Sequence, residues 1–422
     1  MELRTVKGTK DYAPQEKLLQ NAIITTLTTL FERYGYNPLE TPGLEMLETL
    51  TQKFAGGEEI LKEIFTLTDN AQRELGLRYD LTVPFARFIA SNPQLKKPFK
   101  RYQIGKVWRN GPIKLGRFRE FYQCDADVVG ISSLAVDAEL ISLYEQFFNE
   151  FKLEGYVLVN NRKLLTEIME YAKIPTDLHQ SSMLSLDKLQ KIGEKSVQKE
   201  LVEKGVSRDS IKILFEIISR NSLEYISECI PQSQGVKELR DVLSHVTSLG
   251  CKNVLFSCTL ARGLGYYTGT IWEAFLRNSP ITSSVGSGGR YDTMIQEYTN
   301  TKNPMPAVGA SFGVDVLVEA LSTQFQKQTV VQVFIIPFEN ISQSLQIAQQ
   351  LRKEGFCVDV DLNQRSMKKN LDFVDKLQIP FVVFIGSDEV SQNKLTLKNM
   401  QTGEQSLCTL EEVLTLLNAT PQ

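Results

Sequence analysis

Leu and Ile recur at helical spacing between Lys17 and Tyr34, and Gly35 closes the run, which predicts a helix. The following Asn37-Pro38-Leu39-Glu40-Thr41-Pro42 reads as extended, because a residue before proline is pushed out of the helical region. Leu75 to Val83 alternate at the two-residue period of a strand, with Arg78, Asp80 and Thr82 on one face, and Pro84 ends the pairing. The same period runs through Gly116 to Gly130. There Arg117, Arg119, Phe121, Gln123, Asp125 and Asp127 share one face, opposite a mostly apolar set of Phe118, Tyr122, Cys124, Ala126 and Val128 with Glu120. Val136 to Phe151 has the pattern of an amphipathic helix. From 161 to 249 apolar residues recur at helical spacing with Lys and Glu interleaved, which predicts a helical insertion.

Strand character returns at Asn253 to Cys258 and continues through Leu260 to Glu273. A glycine-rich stretch, Val285 to Tyr291, precedes Ala307 to Leu317, read as a strand running into a helix. Beyond a polar, Gln-rich linker around Leu321 to Thr329, strands and helices alternate: Val330 to Pro337, Ile341 to Lys353, Cys357 to Leu362, Met367 to Leu377, Pro380 to Gly386, a Lys394 to Lys398 strand and a final helix. That alternation predicts a small α/β domain with a largely parallel sheet.

A chain of 422 residues has room for two or three domains. A net charge of -3 excludes a uniformly basic nucleic-acid binder, so such contacts must come from local patches. Six scattered cysteines without a Cys-x-x-Cys pair argue against a thiolate zinc site and a disulfide framework. Two histidines, His179 and His245, leave little for a histidine metal site or a Ser-His-Asp triad. No signal peptide or membrane-spanning run is visible, so a cytosolic (cytoplasmic) protein is expected.

Charge is distributed unevenly. From Lys96 to Arg119 there are nine Lys or Arg and no Asp or Glu, and such a one-sign segment repels itself unless an anion sits nearby. With Asp125 and Asp127 further along the alternating face, the stretch reads as an anion site beside a cation-recognition site; a solvated outer strand face is the plainer alternative. Three further clusters accompany it. Asp80-Leu81-Thr82 offers a carboxylate and a hydroxyl. LARGLGYYTGTIWE, Leu260 to Glu273, packs Arg262, Tyr266 and Tyr267 among glycines that let backbone approach a ligand, or else forms a bulged core strand. GSGGRY, Gly286 to Tyr291, resembles a phosphate-cradling loop but lacks the Lys-Ser/Thr of a Walker motif.

Taken in order, KGTKDY from Lys7, DLT, WRN…GRFREFYQCDADVVG, LARGLGYYTG, GSGGRYD and AVGASFG resemble the histidyl-tRNA synthetase family over nearly the whole chain. The resemblance implies an α+β, class II synthetase-like catalytic domain over 1–325, an antiparallel sheet flanked by helices and interrupted by the 161–249 insertion, and an anticodon-binding-type α/β domain over 329–422. It implies ATP and Mg²⁺ as cofactors, histidine and tRNA(His) as partners, and a homodimer through the Gly35 to Pro42 element, with neither membrane nor DNA. The implied activity is ligation of histidine to tRNA through histidyl-adenylate.

By the same likeness Arg109 and Arg262 are catalytic, flanking the α-phosphate and the substrate carboxylate. Asp80, Leu81, Thr82, Gln123, Asp127, Tyr266, Tyr267, Ser287 and Tyr291 would bind histidine. Arg109, Arg117, Arg119, Phe121, Gly309 and Gly313 would bind ATP, with Phe121 on the adenine, and Lys114 would meet the tRNA acceptor end. No protein-held metal is implied. Two positions depart from the family pattern: Gly111 stands where an acidic residue is usual, and Val316 where an arginine contacts the γ-phosphate. Arg117, Arg119 or Mg²⁺ is then expected to carry that phosphate. The competing reading is a catalytically weak or inactive paralogue that binds histidine or tRNA for regulation.

Overall fold

In a computed structural model of the chain, the described residues are 3–52, 61–263, 265–299, 304–338 and 341–419. They form two compact units. The first holds the residues up to Asp11 together with Ala22–Leu321, and the second combines Tyr12–Asn21 with the residues from Ser322 onward.

Among the described residues of the first unit there are eleven strands: β1 (Asn37–Pro38), β2 (Leu44–Met46), β3 (Thr66–Thr68), β4 (Glu74–Leu77), β5 (Phe99–Trp108), β6 (Glu120–Val129), β7 (Gly155–Asn161), β8 (Val254–Phe256), β9 (Thr270–Leu276), β10 (Gly286–Arg290) and β11 (Ala307–Gly313). Eight of them make one sheet in the order β1-β5-β6-β11-β10-β9-β7-β8, and β2, β4 and β3 make a separate three-stranded sheet. The outermost pairs of the large sheet, β1 with β5 and β7 with β8, are parallel. All pairings between them are antiparallel.

Aromatic packing closes one face of that sheet. Phe312 on β11 stacks on Tyr144 at 4.3 Å between ring centroids and meets Phe31 at 5.9 Å and Phe147 at 5.6 Å. Tyr144 and Phe147 come from the helix Ala135–Glu150, whose apolar face is buried. Residues 162–248 are a run of helices joined by short turns.

Several boundaries differ from the sequence reading, each for a local reason. The run Leu75 to Val83 is not one strand. β4 stops at Leu77, and a helix, Thr82–Ser91, starts where the Asp80 carboxylate accepts the Val83 N–H at 3.0 Å. Pro84 sits in the first turn of that helix, where its missing donor costs nothing. β6 begins only at Glu120, so Arg117 and Arg119 precede it. Gly116, at φ +68°, turns the chain so that Lys114 and Arg117 exchange backbone hydrogen bonds at 3.2 and 2.9 Å.

Residues 260–263 and 265–269 are loop, with β9 starting at Thr270. GSGGR is no phosphate loop but the strand β10. Its glycines are required by crowding: a Cβ at Gly289 would lie 2.6 Å from the Tyr267 ring, and one at Gly288 would overlap Trp272 and the Gly309 carbonyl.

In the second unit β12 (Val333–Pro337), β13 (Val358–Val360), β14 (Phe381–Ile385), β15 (Leu395–Asn399) and β16 (Gln405–Cys408) form a sheet in the order β13-β12-β14-β15-β16. Its first three strands are parallel and its last two antiparallel, so the sheet is mixed. The helix Ile341–Lys353 packs Ile347, Ala348 and Leu351 into a core with Val333, Ile335, Val383 and Leu397.

Truncating the central ring of the first unit tests this packing. Phe312→Ala is expected to lower the unfolding free energy by about 3–5 kcal/mol in denaturant titration; a loss below about 1 kcal/mol would mean the aromatic cluster is not the core of this unit.

Candidate functional site

On the opposite side of β5, β6, β11 and β10 lies a cavity of about 430 Å³. Its acidic end is built by register. Arg101↔Asp127 and Gln103↔Asp125 are cross-strand partners on β5 and β6, and Arg101 Nη2 lies 2.7 Å from Asp127 Oδ2 with both side chains buried. Tyr291 donates its hydroxyl to Asp127 Oδ1 at 2.5 Å. Gly309, facing Asp127 on β11, leaves room for that carboxylate, because a Cβ there would overlap Oδ1. Gln123 Nε2 donates to Ser311 Oγ at 2.8 Å.

Burial dominates the acid–base behaviour here. It raises the Asp80 carboxyl to about 6, against the Val83 N–H and the Arg109 charge, which lower it. Asp125 is likewise pushed up by burial, with Arg101 opposing and the Asp127 charge reinforcing the rise. Asp127 rises for the same first reason, although Arg101 and the Tyr291 hydroxyl both favour its charged form.

Two arginines define the basic end. Arg109 donates Nε to the Tyr79 carbonyl at 2.9 Å and holds its guanidinium 5.3 Å from the centre of the Phe121 ring. Arg262 pairs with Glu273 and donates Nη2 to Ser287 Oγ at 3.0 Å. Burial works against its charge, but Glu273 and the two tyrosines, Tyr267 and Tyr266, hold its pKa above the ordinary value. Besides Asp127 Oδ2, which has only its ion-pair contact with Arg101, three buried polar atoms of the cavity lack a hydrogen-bond partner: Gln123 Oε1, Asp125 Oδ1 and Arg262 Nε. Buried polar atoms without partners are rare in folded proteins. One donor and two acceptors left open around one cavity mark a surface shaped for a polar ligand.

The cavity wall includes Asp80, Thr82, Gln123, Asp127, Tyr266, Tyr267, Ser287 and Tyr291 of the predicted histidine set. It also includes Arg109, Arg117, Phe121, Gly309, Gly313 and Arg262. Leu81, Arg119 and Lys114 lie outside it. Leu81 is fully buried and offers its carbonyl to Arg101 at 3.1 Å. Arg119 turns back to the Gly111 carbonyl at 3.3 Å, its stem against Gly8. Lys114 belongs to the exposed turn before β6.

Neither is the cationic run left without counterions. Lys100 pairs with Glu139 at 2.7 Å, Arg101 with Asp127, and Lys106 with Glu120 at 2.6 Å. Those acids come from outside the run, which a linear charge count does not register.

Residues outside the predicted histidine and ATP sets also line the cavity: Asp125, Glu273, Ser311, Glu63, Asp187 and Lys191. Asp125 shares the alternating face with Gln123 and Asp127, so its signal was present. Asp187 and Lys191 come from the helical stretch and carry no sequence signal of their own. Glu63 bears on the departure at Gly111. A Cβ at Gly111 would lie 2.7 Å from Glu63 Oε1, so an acidic side chain reaches this place from another segment. At the other departure, Val316 Cα lies 3.4 Å from where a Gly116 Cβ would be, directly beside Arg117 in sequence.

A family model described as "Histidyl-tRNA synthetase" matches residues 8–317, and one described as "Anticodon binding domain" matches 332–420. The chain belongs to the histidyl-tRNA synthetase family. A Bacillus cereus protein named "Histidine--tRNA ligase 1" is 46% identical over 96% of this chain and 97% of its own length. A Phocaeicola vulgatus "Histidine--tRNA ligase" is 37% identical, with 98% of each chain covered. The crystal structure of histidyl-tRNA synthetase from Nostoc sp. PCC 7120 superposes with a TM-score of 0.86 at 31% identity, covering 99% of this chain and 100% of that one. For this member of the histidyl-tRNA synthetase family the class II architecture, a mixed sheet flanked by helices with a separate C-terminal sheet, therefore holds.

The buried carboxyl at Asp80 has a measurable thermodynamic signature. Its pKa in the folded state, about 6, exceeds the ordinary value of 3.8, so proton binding favours the folded form. That contribution is complete below the unfolded value and is lost as pH rises through about 6. Asp80→Asn keeps an oxygen for the Val83 N–H. It should raise the unfolding free energy by about 1–3 kcal/mol near pH 8 and by much less near pH 4. Equal effects at the two pH values would remove Asp80 as a strained charge.

Proposed function

We propose that the chain is a histidine–tRNA ligase: it activates histidine with ATP and transfers the histidyl group to the 3′ end of tRNA(His). The observation that carries this reading is the single cavity in which buried carboxylates at one end face two arginines at the other, with three polar atoms left open. A zwitterionic amino acid next to a polyphosphate needs that division of charge.

In the first step a carboxylate oxygen of histidine attacks the α-phosphorus of ATP, and the bond to the bridging oxygen of pyrophosphate breaks. Negative charge grows on the non-bridging oxygens, and fixed cations stabilise it in a site that needs no reorganisation. Arg109 and Arg262 supply those cations. Arg109 is held by the Tyr79 carbonyl and lies over Phe121, so the ring that takes the adenine also fixes the arginine. Asp80 and Thr82 receive the substrate ammonium. Asp127, Gln123, Tyr266, Tyr267, Ser287 and Tyr291 enclose the imidazole and amino group. A side chain without ring N–H groups would leave buried acceptors unpaired, and that mismatch discriminates strongly. In the second step the terminal ribose hydroxyl of tRNA attacks the acyl carbon and AMP leaves.

Among the described residues no cluster of three or more His, Cys, Asp or Glu side chains suited to a metal ion occurs. Mg²⁺ enters this reading as the counterion that ATP brings with its phosphates. The γ-phosphate cation is assigned to Arg117, a cavity-lining arginine next to the place where Val316 stands. Arg119 is committed to Gly111 and Gly8. Lys114, on the exposed turn with Ile113 and Leu115, is assigned to the acceptor end of tRNA, and the C-terminal unit to the anticodon. No helix among the described residues is long and apolar enough to cross a membrane. The work site is the cytoplasm, where tRNA is charged.

A homodimer completes the proposal. β1 is the terminal strand of the large sheet, and nearby β2 and β3 turn Leu44, Met46 and Leu67 outward at 43%, 39% and 39% exposure. Glu45, between two of them, points inward to Arg87 at 2.5 Å. A sheet with its apolar side chains outside and its charge inside is built to be covered. Sedimentation at roughly micromolar concentration is expected to give a dimer; a fully active monomer would contradict this.

Histidine-dependent exchange of pyrophosphate into ATP tests the ligase itself, because only a working adenylation site gives signal. Activity is expected in the unaltered protein. Arg117→Ala should raise the ATP KM about tenfold or more with little change in the histidine KM, consistent with loss of a charge-assisted contact. Absent exchange in a protein that still binds histidine would replace the ligase with a binding-only paralogue.

A further inference from the structure

Arg262 occupies a backbone conformation that a non-glycine residue reaches only under strain, with φ at +59°. Such a conformation persists when surrounding groups hold it. The groups that do so come from the segment 160–221, most of it helical. Asp187, which follows the helix His179–Leu186, accepts the Arg262 backbone N–H on Oδ1 at 3.1 Å. Arg162, the first residue of the helix Arg162–Tyr171, donates to the Ala261 carbonyl at 3.2 Å and to Gln180 Oε1 at 2.6 Å. Asn160 Nδ2 donates to the Leu260 carbonyl at 2.9 Å, and Asn221 Oδ1 accepts the Cys258 N–H at 2.7 Å. Downstream, Gly263 and Gly265 offer no side chain to continue the hold. The Arg262 side chain points the other way, to Glu273 on β9 and Ser287 on β10. Arg262 is therefore a joint: its backbone is gripped by the helical segment and its guanidinium is seated on the sheet.

We propose that Asp187 is a positioning residue for adenylate formation. By holding the Arg262 N–H it fixes the left-handed backbone that aims the guanidinium at Glu273 and Ser287. The catalytic arginine is then in place only while the helices of 162–248 are seated against the loop from Cys258 to Arg262. Without the acceptor, Arg262 relaxes toward negative φ, and a rotation at that bond swings a long side chain away from the cavity. This inference rests on the reading of Arg262 as the α-phosphate and carboxylate cation. Asp187 itself also lines the cavity, so direct contact with substrate is the rival role.

Pyrophosphate exchange with Asp187→Ala, Asp187→Asn and Arg262→Ala separates these roles, with melting temperatures recorded for each. The amide of Asp187→Asn keeps an oxygen for the N–H but carries no charge. Asp187→Ala is expected to lower kcat roughly 5- to 30-fold, the equivalent of about 1–2 kcal/mol of lost backbone restraint, with both KM values within about threefold of the unaltered protein. Asp187→Asn should recover most of that loss. If Asp187→Ala does not fold, Asp187→Ser, one bond too short to reach the N–H, is read in the same way. Unchanged kcat in Asp187→Ala, or Asp187→Asn as impaired as Asp187→Ala, overturns the proposal. Exchange that survives Arg262→Ala overturns the underlying reading of Arg262 instead, and the two failures are distinguishable.

Discussion

A buried arginine–aspartate pair in the middle of an antiparallel sheet constrains everything around it. Arg101 and Asp127 are removed from water together. Such a pair is tolerated only with close geometry and with its remaining atoms satisfied, since either charge alone would be severely penalised. The neighbourhood meets that demand in part, since Arg101 Nε and Nη1 find no hydrogen-bond partner. β5 and β6 run in register for ten residues, so the two side chains meet directly. Tyr291 caps the free oxygen, Gly309 leaves the volume open, and Leu81 turns its carbonyl toward the guanidinium. Asp125 and Asp80 add further carboxyls that burial pushes toward the protonated form. A cationic ligand group is the natural completion of this arrangement, because it restores the charge balance that the protein alone leaves short.

Much of this was legible in the residues themselves. The alternation from Phe121 to Asp127 placed an aromatic ring, an amide and carboxylates on one face, and the strand does present that face to the cavity. The helix Ala135–Glu150 and the strand-to-helix passage at Gly313 followed from periodicity alone. Family likeness supplied the identity of the reaction, which composition could not.

What was not legible depended on particular side-chain contacts, most of them between separate elements. Alternation between Leu75 and Val83 suggested one strand, yet the Asp80 side chain captures the Val83 N–H and starts a helix instead. The glycines of GSGGR suggested a phosphate loop, whereas they are dictated by Trp272 and Tyr267 pressing on β10 from neighbouring positions. The charge count from Lys96 to Arg119 missed Glu139, Asp127 and Glu120, which arrive from another helix and strand. Glu63 and Asp187 reach the cavity from segments with no motif. In most of these cases the deciding neighbour comes from another element, and at Asp80 it is a side-chain capture that alternation does not register.

The glycine strand β10 has one further consequence. Since Gly289 admits no side chain against the Tyr267 ring, the cavity floor along β10 is main chain there, and main chain cannot be carved. A wider chamber for a bulkier histidine analogue cannot be obtained by trimming that floor. On the proposed reading, a change of substrate range works through the removable rings of Tyr266 and Tyr267, since the Tyr291 hydroxyl is committed to Asp127.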